Sequence, residues 1–111
     1  MLGGYRKIYW TEHAKIKMRQ YGLSKSKLMN LMYRPQRKER GIVEGTMALM
    51  QPVKSYSSVA GKRPSGEIWL MYKDVKQERK IISVWRYPGI SKPGEMIPIP
   101  DDIAEFLKNN G

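Results

Sequence analysis

Residues 7–24 read Lys-Ile-Tyr-Trp-Thr-Glu-His-Ala-Lys-Ile-Lys-Met-Arg-Gln-Tyr-Gly-Leu-Ser. Lys7–Trp10 is a short run of β-forming residues and predicts a first strand. Thr11 then has the chemistry of a helix N-cap. Across Glu12–Tyr21, Ala14, Met18 and Tyr21 fall at i, i+4 and i+7, one apolar stripe of a helix, with Lys15, Ile16 and Arg19 on the far side. Gly22 suits the left-handed residue that ends such a helix. Ser24 caps a second helix, and Leu23 and Leu28 have the spacing of a hydrophobic staple. Leu28, Leu31 and Met32 form its buried stripe, and Pro35 stops it, because the residue before a proline avoids the α region.

Beyond Gln36 the period changes. Ile42–Met50 is β-like, with Gly41 and Gly45 as bends, and Ser55–Gly66 is a basic loop that holds Lys62 and Arg63. Glu67–Lys73 alternates, with Ile68, Leu70 and Tyr72 on one face and Trp69 and Met71 on the other. After a polar turn over Asp74–Glu78, Arg79–Tyr87 follows as the partner strand of a hairpin. There Ile82 and Val84 are expected on one side, and Ile81, Ser83, Trp85 and Tyr87 on the other. Pro88, Pro93, Pro98 and Pro100 predict an extended tail. Asp101 or Asp102 then caps a short helix over Ile103–Lys108, with Ile103, Phe106 and Leu107 as its apolar side. Helices followed by strands point to an α+β fold: a short first strand and two helices packed on an antiparallel sheet of three to four strands. The expected division is a basic domain over residues 1–89 and a Pro-rich acidic tail over 90–111, whose helix packs on the same domain.

Charge is the strongest compositional signal. The 111 residues hold 21 Lys and Arg against 10 Asp and Glu, a net of +11. Residues 1–89 carry 19 basic and 6 acidic side chains, a net of +13, and residues 90–111 carry a net of −2. Such a field favours a polyanion, nucleic acid first. The carboxylates of the basic part (Glu12, Glu39, Glu44, Glu67, Asp74, Glu78) are scattered, which disfavours a two-metal nuclease. One histidine and no cysteine exclude multi-His and thiolate metal sites, disulfides and a Cys nucleophile. No Gly-rich phosphate loop is present, and neither a cofactor nor a metal is expected. No apolar run approaches the ~20 residues of a membrane span, and the N-terminus lacks a signal peptide's apolar stretch, so the expectation is a cytoplasmic protein without a membrane partner.

His13, the sole histidine, falls in the first turn of the first helix, where the helix dipole favours the neutral ring, a base near pH 7. Lys17 lies one turn along on the same face and could neutralise a phosphate. RNA can be cut without metal by its own 2′-hydroxyl, given a base, cations for the developing charge and an acid for the leaving oxygen. DNA lacks that hydroxyl. The bland alternative is a structural histidine. At the end of the last strand, Arg86 could clamp a phosphate and Tyr87 could donate a proton or stack on a base; the alternative is ordinary strand packing. Lys15, Arg19, Arg34, Arg37, Arg40, Lys62, Arg63, Arg79 and Lys80 are the candidate nucleic-acid contacts. They are interleaved with Tyr33, Tyr56, Trp69 and Tyr72, a composition that suits single-stranded RNA.

The stretch from Trp10 to Ser24 resembles the opening "H-A-x-x-R-M-x-x-R-G-I-S" motif of small proteins grouped with the RelE/BrnT-like toxins, in the barnase–EndoU–colicin–RelE class of metal-independent ribonucleases. His13, Ala14, Met18, Gly22 and Ser24 match, Lys17 stands for an arginine, Leu23 for an isoleucine, and Tyr21 departs from a second arginine. Arg79–Trp85 looks like the family's closing strand, with Ser83 at its hydroxyl position. The resemblance implies a RelE-like fold in which His13, Lys17, Ser83 and Arg86 face one cleft. It also implies RNA as substrate, in a ribosome-associated setting or free, and an antitoxin protein as partner. Three readings follow: a toxin-type endoribonuclease with His13 as general acid/base, a noncatalytic RNA- or ribosome-binding module on the same fold, and, ranked last, a DNA-binding regulator.

Overall fold

The structure, a computed structural model, describes residues 6–53 and 66–110. Its elements in chain order are β1 (Lys7–Trp10), α1 (Glu12–Tyr21), α2 (Lys25–Tyr33), β2 (Arg37–Arg40), β3 (Thr46–Pro52), β4 (Glu67–Val75), β5 (Glu78–Tyr87) and α3 (Asp101–Asn110). The fold is α+β. The five strands form one sheet in the order β1-β5-β4-β3-β2. β1 runs parallel to β5 and the other pairs are antiparallel, so the sheet is mixed and wider than the expected antiparallel sheet of three to four strands.

The added strand explains itself. β2 reads Arg-Lys-Glu-Arg and carries no hydrophobic pattern, yet it pairs along β3 from Arg37↔Met50 to Arg40↔Met47. Charged residues of this kind keep a sheet edge from recruiting other chains. Residues 42–45, expected as strand, form the turn between β2 and β3, with Gly45 at φ 84°.

The helix signals correspond to observed caps. Thr11 Oγ1 accepts the Ala14 N–H at 3.2 Å. Gly22 takes φ 65°, and the Leu23 N–H bonds back to the Met18 carbonyl at 2.8 Å. Ser24 Oγ accepts the Lys27 N–H at 3.2 Å. Thr11 also donates its hydroxyl to the Ile81 carbonyl at 2.7 Å, which pins the start of α1 to β5.

Each face of the sheet has its own core. Ile68, Leu70, Tyr72, Ile81 and Val84 pack with Ala14, Met18, Leu28 and Leu31 beneath α1 and α2. Ala48, Met50, Trp69, Met71 and Trp85 pack with Ile103 and Leu107 of α3. Ile81 is on the face opposite to that expected. Met71 pairs with Ser83 and Tyr72 with Ile81, so Ile82 is the extra residue of a β-bulge that resets the alternation. On the second face Trp69 and Trp85 stack with ring centroids 6.0 Å apart. The tail is strapped over them: Trp85 Nε1 donates to the Pro98 carbonyl at 2.9 Å, and the Ser91 N–H and hydroxyl both donate to the buried Glu67 carboxylate.

The tail and the basic part therefore share the second of these cores, and α3 spans Asp101–Asn110 rather than Ile103–Lys108. Ile103 is fully buried. Ile103→Ala should cost about 2–5 kcal/mol, the range for deleting a buried branched side chain, within a single urea transition. A biphasic transition, or an unchanged midpoint, would mean that the tail folds apart from the sheet.

Candidate functional site

α1 lies along β5 at the sheet edge, and the Thr11 bond sets which of its residues face the bulge. His13, the second residue of the helix, points Nε2 at the Ser83 hydroxyl, 3.0 Å away. Ser83 is fully buried on the face that carries the two stacked tryptophans. The other side of the imidazole is covered by α3: the Phe106 ring stacks on it with centroids 3.7 Å apart and planes within 7°. One turn further, Lys17 is buried and donates to Gln20 Oε1 at 2.9 Å and to the Asp102 carboxylate at the start of α3.

These contacts set the protonation states. Burial, reinforced by the nearby Lys17 cation, pushes the His13 pKa below its ordinary value of 6.5, against an opposing pull from Asp102. The neutral ring expected from the helix dipole is thus present for a different leading reason, desolvation under Phe106. The hydrogen bond from Lys17 holds Asp102 below the usual carboxylate range, although its side chain is half-exposed. Burial and the Asp102 charge push the Tyr21 phenol up, with Lys17 opposing. The site therefore offers a neutral imidazole, a lysine, a protonated phenol and a carboxylate that occupies the lysine.

The structure brings together His13, Lys17 and Ser83 and separates two other candidates. Arg86 lies on the opposite face of β5, pairs with Ile68 in register, and donates Nε to the Tyr21 carbonyl at 2.7 Å and Nη2 to the Gly22 carbonyl at 3.4 Å. It satisfies orphan carbonyls at the end of α1 and does not line the His13 cleft. Tyr87 shares the Ser83 face but is four residues further along β5, about 13 Å at the usual strand rise. Its ring folds against Gly89, beside Pro88, Pro98 and Pro100.

The candidate polyanion contacts also divide. Arg37 is buried, donates to Glu39 and Ser91, and stacks over Trp69, so its guanidinium anchors the tail instead of meeting solvent. Arg79 lies over Tyr72 on the far face and is held bidentately by Asp74 at 2.8 and 3.0 Å; this pairing holds Asp74 below its usual range. Lys15 pairs with exposed Glu12 at 3.4 Å. Arg19, Arg34 and Arg40 are exposed, and Lys80 is half-buried on the Ser83 face. Lys62 and Arg63 lie outside the described residues.

Asp102, Phe106 and Tyr21 were missed as site residues. Asp102 and Phe106 were legible only as a helix cap and an apolar position, because their partners are more than 80 residues away in the chain. Tyr21 reads in the sequence as a member of the apolar stripe of α1 and as a departure from a motif. Among the described residues no group of three His, Cys, Asp or Glu side chains gathers as a metal site, and no helix is long and apolar enough to cross a membrane. Comparison of the chain with family models, curated proteins and solved structures finds no match.

His13 is the sole imidazole, so its NMR titration is unambiguous. It should titrate below 6.5, and Phe106→Ala should move the midpoint up towards 6.5 by returning water to the ring. The unfolded chain takes up this proton first. The stability linked to His13 is therefore complete above about pH 6.5 and is lost as the pH falls from there towards the folded pKa.

Proposed function

We propose that this protein is a small cytoplasmic, metal-independent endoribonuclease of toxin type that cuts single-stranded RNA by 2′-hydroxyl attack. The observation that carries the reading is the placement of His13, its pKa lowered by burial, one helical turn from Lys17 in a chain of net charge +11. In this reading His13 takes the 2′-hydroxyl proton and Lys17 neutralises the phosphate. Tyr21, close enough to Lys17 and Asp102 to feel both charges and protonated near neutrality, takes the proton-donor role expected of Tyr87 and delivers a proton to the departing 5′-oxygen. Ser83 holds the imidazole in register until substrate arrives. The Trp10–Ser24 resemblance to RelE/BrnT-like toxins supports the reading and supplies its biological setting, RNA on or off the ribosome with an antitoxin protein as partner.

In the conformation described, Phe106 and Asp102 occupy the space a phosphodiester needs, so cleavage requires α3 to shift. A second reading, a noncatalytic RNA- or ribosome-binding module, is favoured by one observation: Ser83 is wholly buried and engages His13 Nε2, as a purely structural tie would.

The two readings separate in a gel assay on single-stranded RNA in EDTA. The nuclease reading expects wild-type cleavage, loss of at least ~100-fold for His13→Ala with the fold retained by circular dichroism, and an acid limb below pH 6.5. Phe106→Ala should raise the rate roughly 2- to 10-fold, the worth of one aromatic pair. Wild-type RNA binding without product, unaltered by His13→Ala, would support the binding module instead.

A further inference from the structure

The tail and α3 do not cover the whole second face of the sheet. Where β5 begins, the register aligns one row across three strands: Tyr9 of β1 opposite Lys80 of β5, and Lys80 opposite Lys73 of β4. Alternation sets all three on the Ser83 face. Tyr9 lies between Ile8 and Trp10, which pack into the first core; Lys80 precedes Ile81 of that core; and Lys73 follows Tyr72. Tyr9 is 50% exposed, Lys73 is exposed and Lys80 is half-buried. Among the described residues, no side-chain hydrogen bond or ion pair engages Lys73 or Lys80. Behind this row, Lys7 stands opposite Glu78, the one carboxylate in the β1–β5 register.

We propose that the Tyr9–Lys80–Lys73 row is a seat for single-stranded RNA that leads the strand into the His13 site. This identification of the ligand rests on the reading of the protein as RNA-acting. An exposed ring on an open sheet face stacks a base regardless of its identity, and lysines beside it hold the adjoining phosphates. Strand spacing makes the row about 10 Å wide, and Lys80 is three residues, about 10 Å, from Ser83. A strand seated on Tyr9 therefore reaches the imidazole within a few nucleotides. Among the described residues the row bears two cations without a side-chain partner, beside an exposed aromatic ring, and no carboxylate of its own. That is the complement of a base-bearing polyanion more than of an acidic protein segment, which would leave the ring without a partner.

The test is fluorescence anisotropy on the full chain with a short labelled oligoribonucleotide of mixed sequence, 2′-O-methylated throughout so that binding is read whether or not the protein can cut. Tyr9→Ala should weaken binding roughly tenfold, with Tyr9→Phe close to wild type. Lys73→Ala with Lys80→Ala should reduce the slope of log affinity against log salt by roughly 1.4. All three row positions lie outside both cores, and thermal melts check that the variants are folded. Affinities within twofold of wild type in every row variant would overturn the proposal. So would a duplex bound as tightly as the single strand, or polyglutamate displacing the RNA at lower charge concentration than RNA itself. Row-dependent binding without cleavage of unmodified RNA would sink the nuclease reading alone; cleavage unaffected by the row variants would sink the seat alone.

Discussion

The hydroxyl of Thr11 is the point on which the site depends. It caps α1 through the Ala14 N–H and donates to the Ile81 carbonyl of β5, one residue before the bulge at Ile82. A cap alone would start a helix in any direction. A cap that is also bonded to the strand fixes the rotation of α1, so that Ala14 and Met18 enter one core while His13 and Lys17 look over the sheet edge towards the other face. The bulge supplies the second half of the geometry. Without it Ser83 would share the Ile81 face and could not meet His13, since successive residues of a regular strand alternate.

The sheet has two apolar faces and a short chain to cover them. The two N-terminal helices cover one, and a proline-rich strap with a terminal helix covers the other, where two stacked tryptophans would otherwise face water. The same helix brings Phe106 and Asp102 to the site. Exposing Ile103 and Leu107 by lifting α3 entirely would cost about 3–6 kcal/mol at the usual worth of a buried aliphatic side chain. The Lys17–Asp102 pair adds a latch that solvent and salt weaken, because Asp102 is half-exposed. The His13 site is therefore covered by α3, and the Lys17–Asp102 pair is the weaker of its two attachments.

Much of this was legible in the residues. Thr11, Gly22 and Ser24 mark helix ends because capping is local chemistry, and the caps fall where the spacing of polar and apolar residues put them. The alternation of β4 was equally plain. Three things were not. β2 is an all-charged strand whose only reason to be extended is β3 beside it. The bulge at Ile82 leaves no sequence mark, since an isoleucine fits a regular strand equally well. The roles of Arg86 and Arg37 depend on distant partners, the carbonyls ending α1 and Ser91 of the tail, and that of Arg79 on which face of β5 brings it to Asp74 across the hairpin. An arginine reads the same in sequence whether it faces a polyanion or ties down a helix.

The account turns on whether RNA supplies its own nucleophile at His13. Analysis of the product ends, using an RNA cut by the wild-type chain and its twin with a single 2′-deoxy substitution at the cut position, addresses this most directly. The account predicts 2′,3′-cyclic phosphate and 5′-hydroxyl ends, and an uncut bond at the substituted position. Cleavage of the deoxy-substituted bond, or products bearing 5′-phosphates, would contradict it.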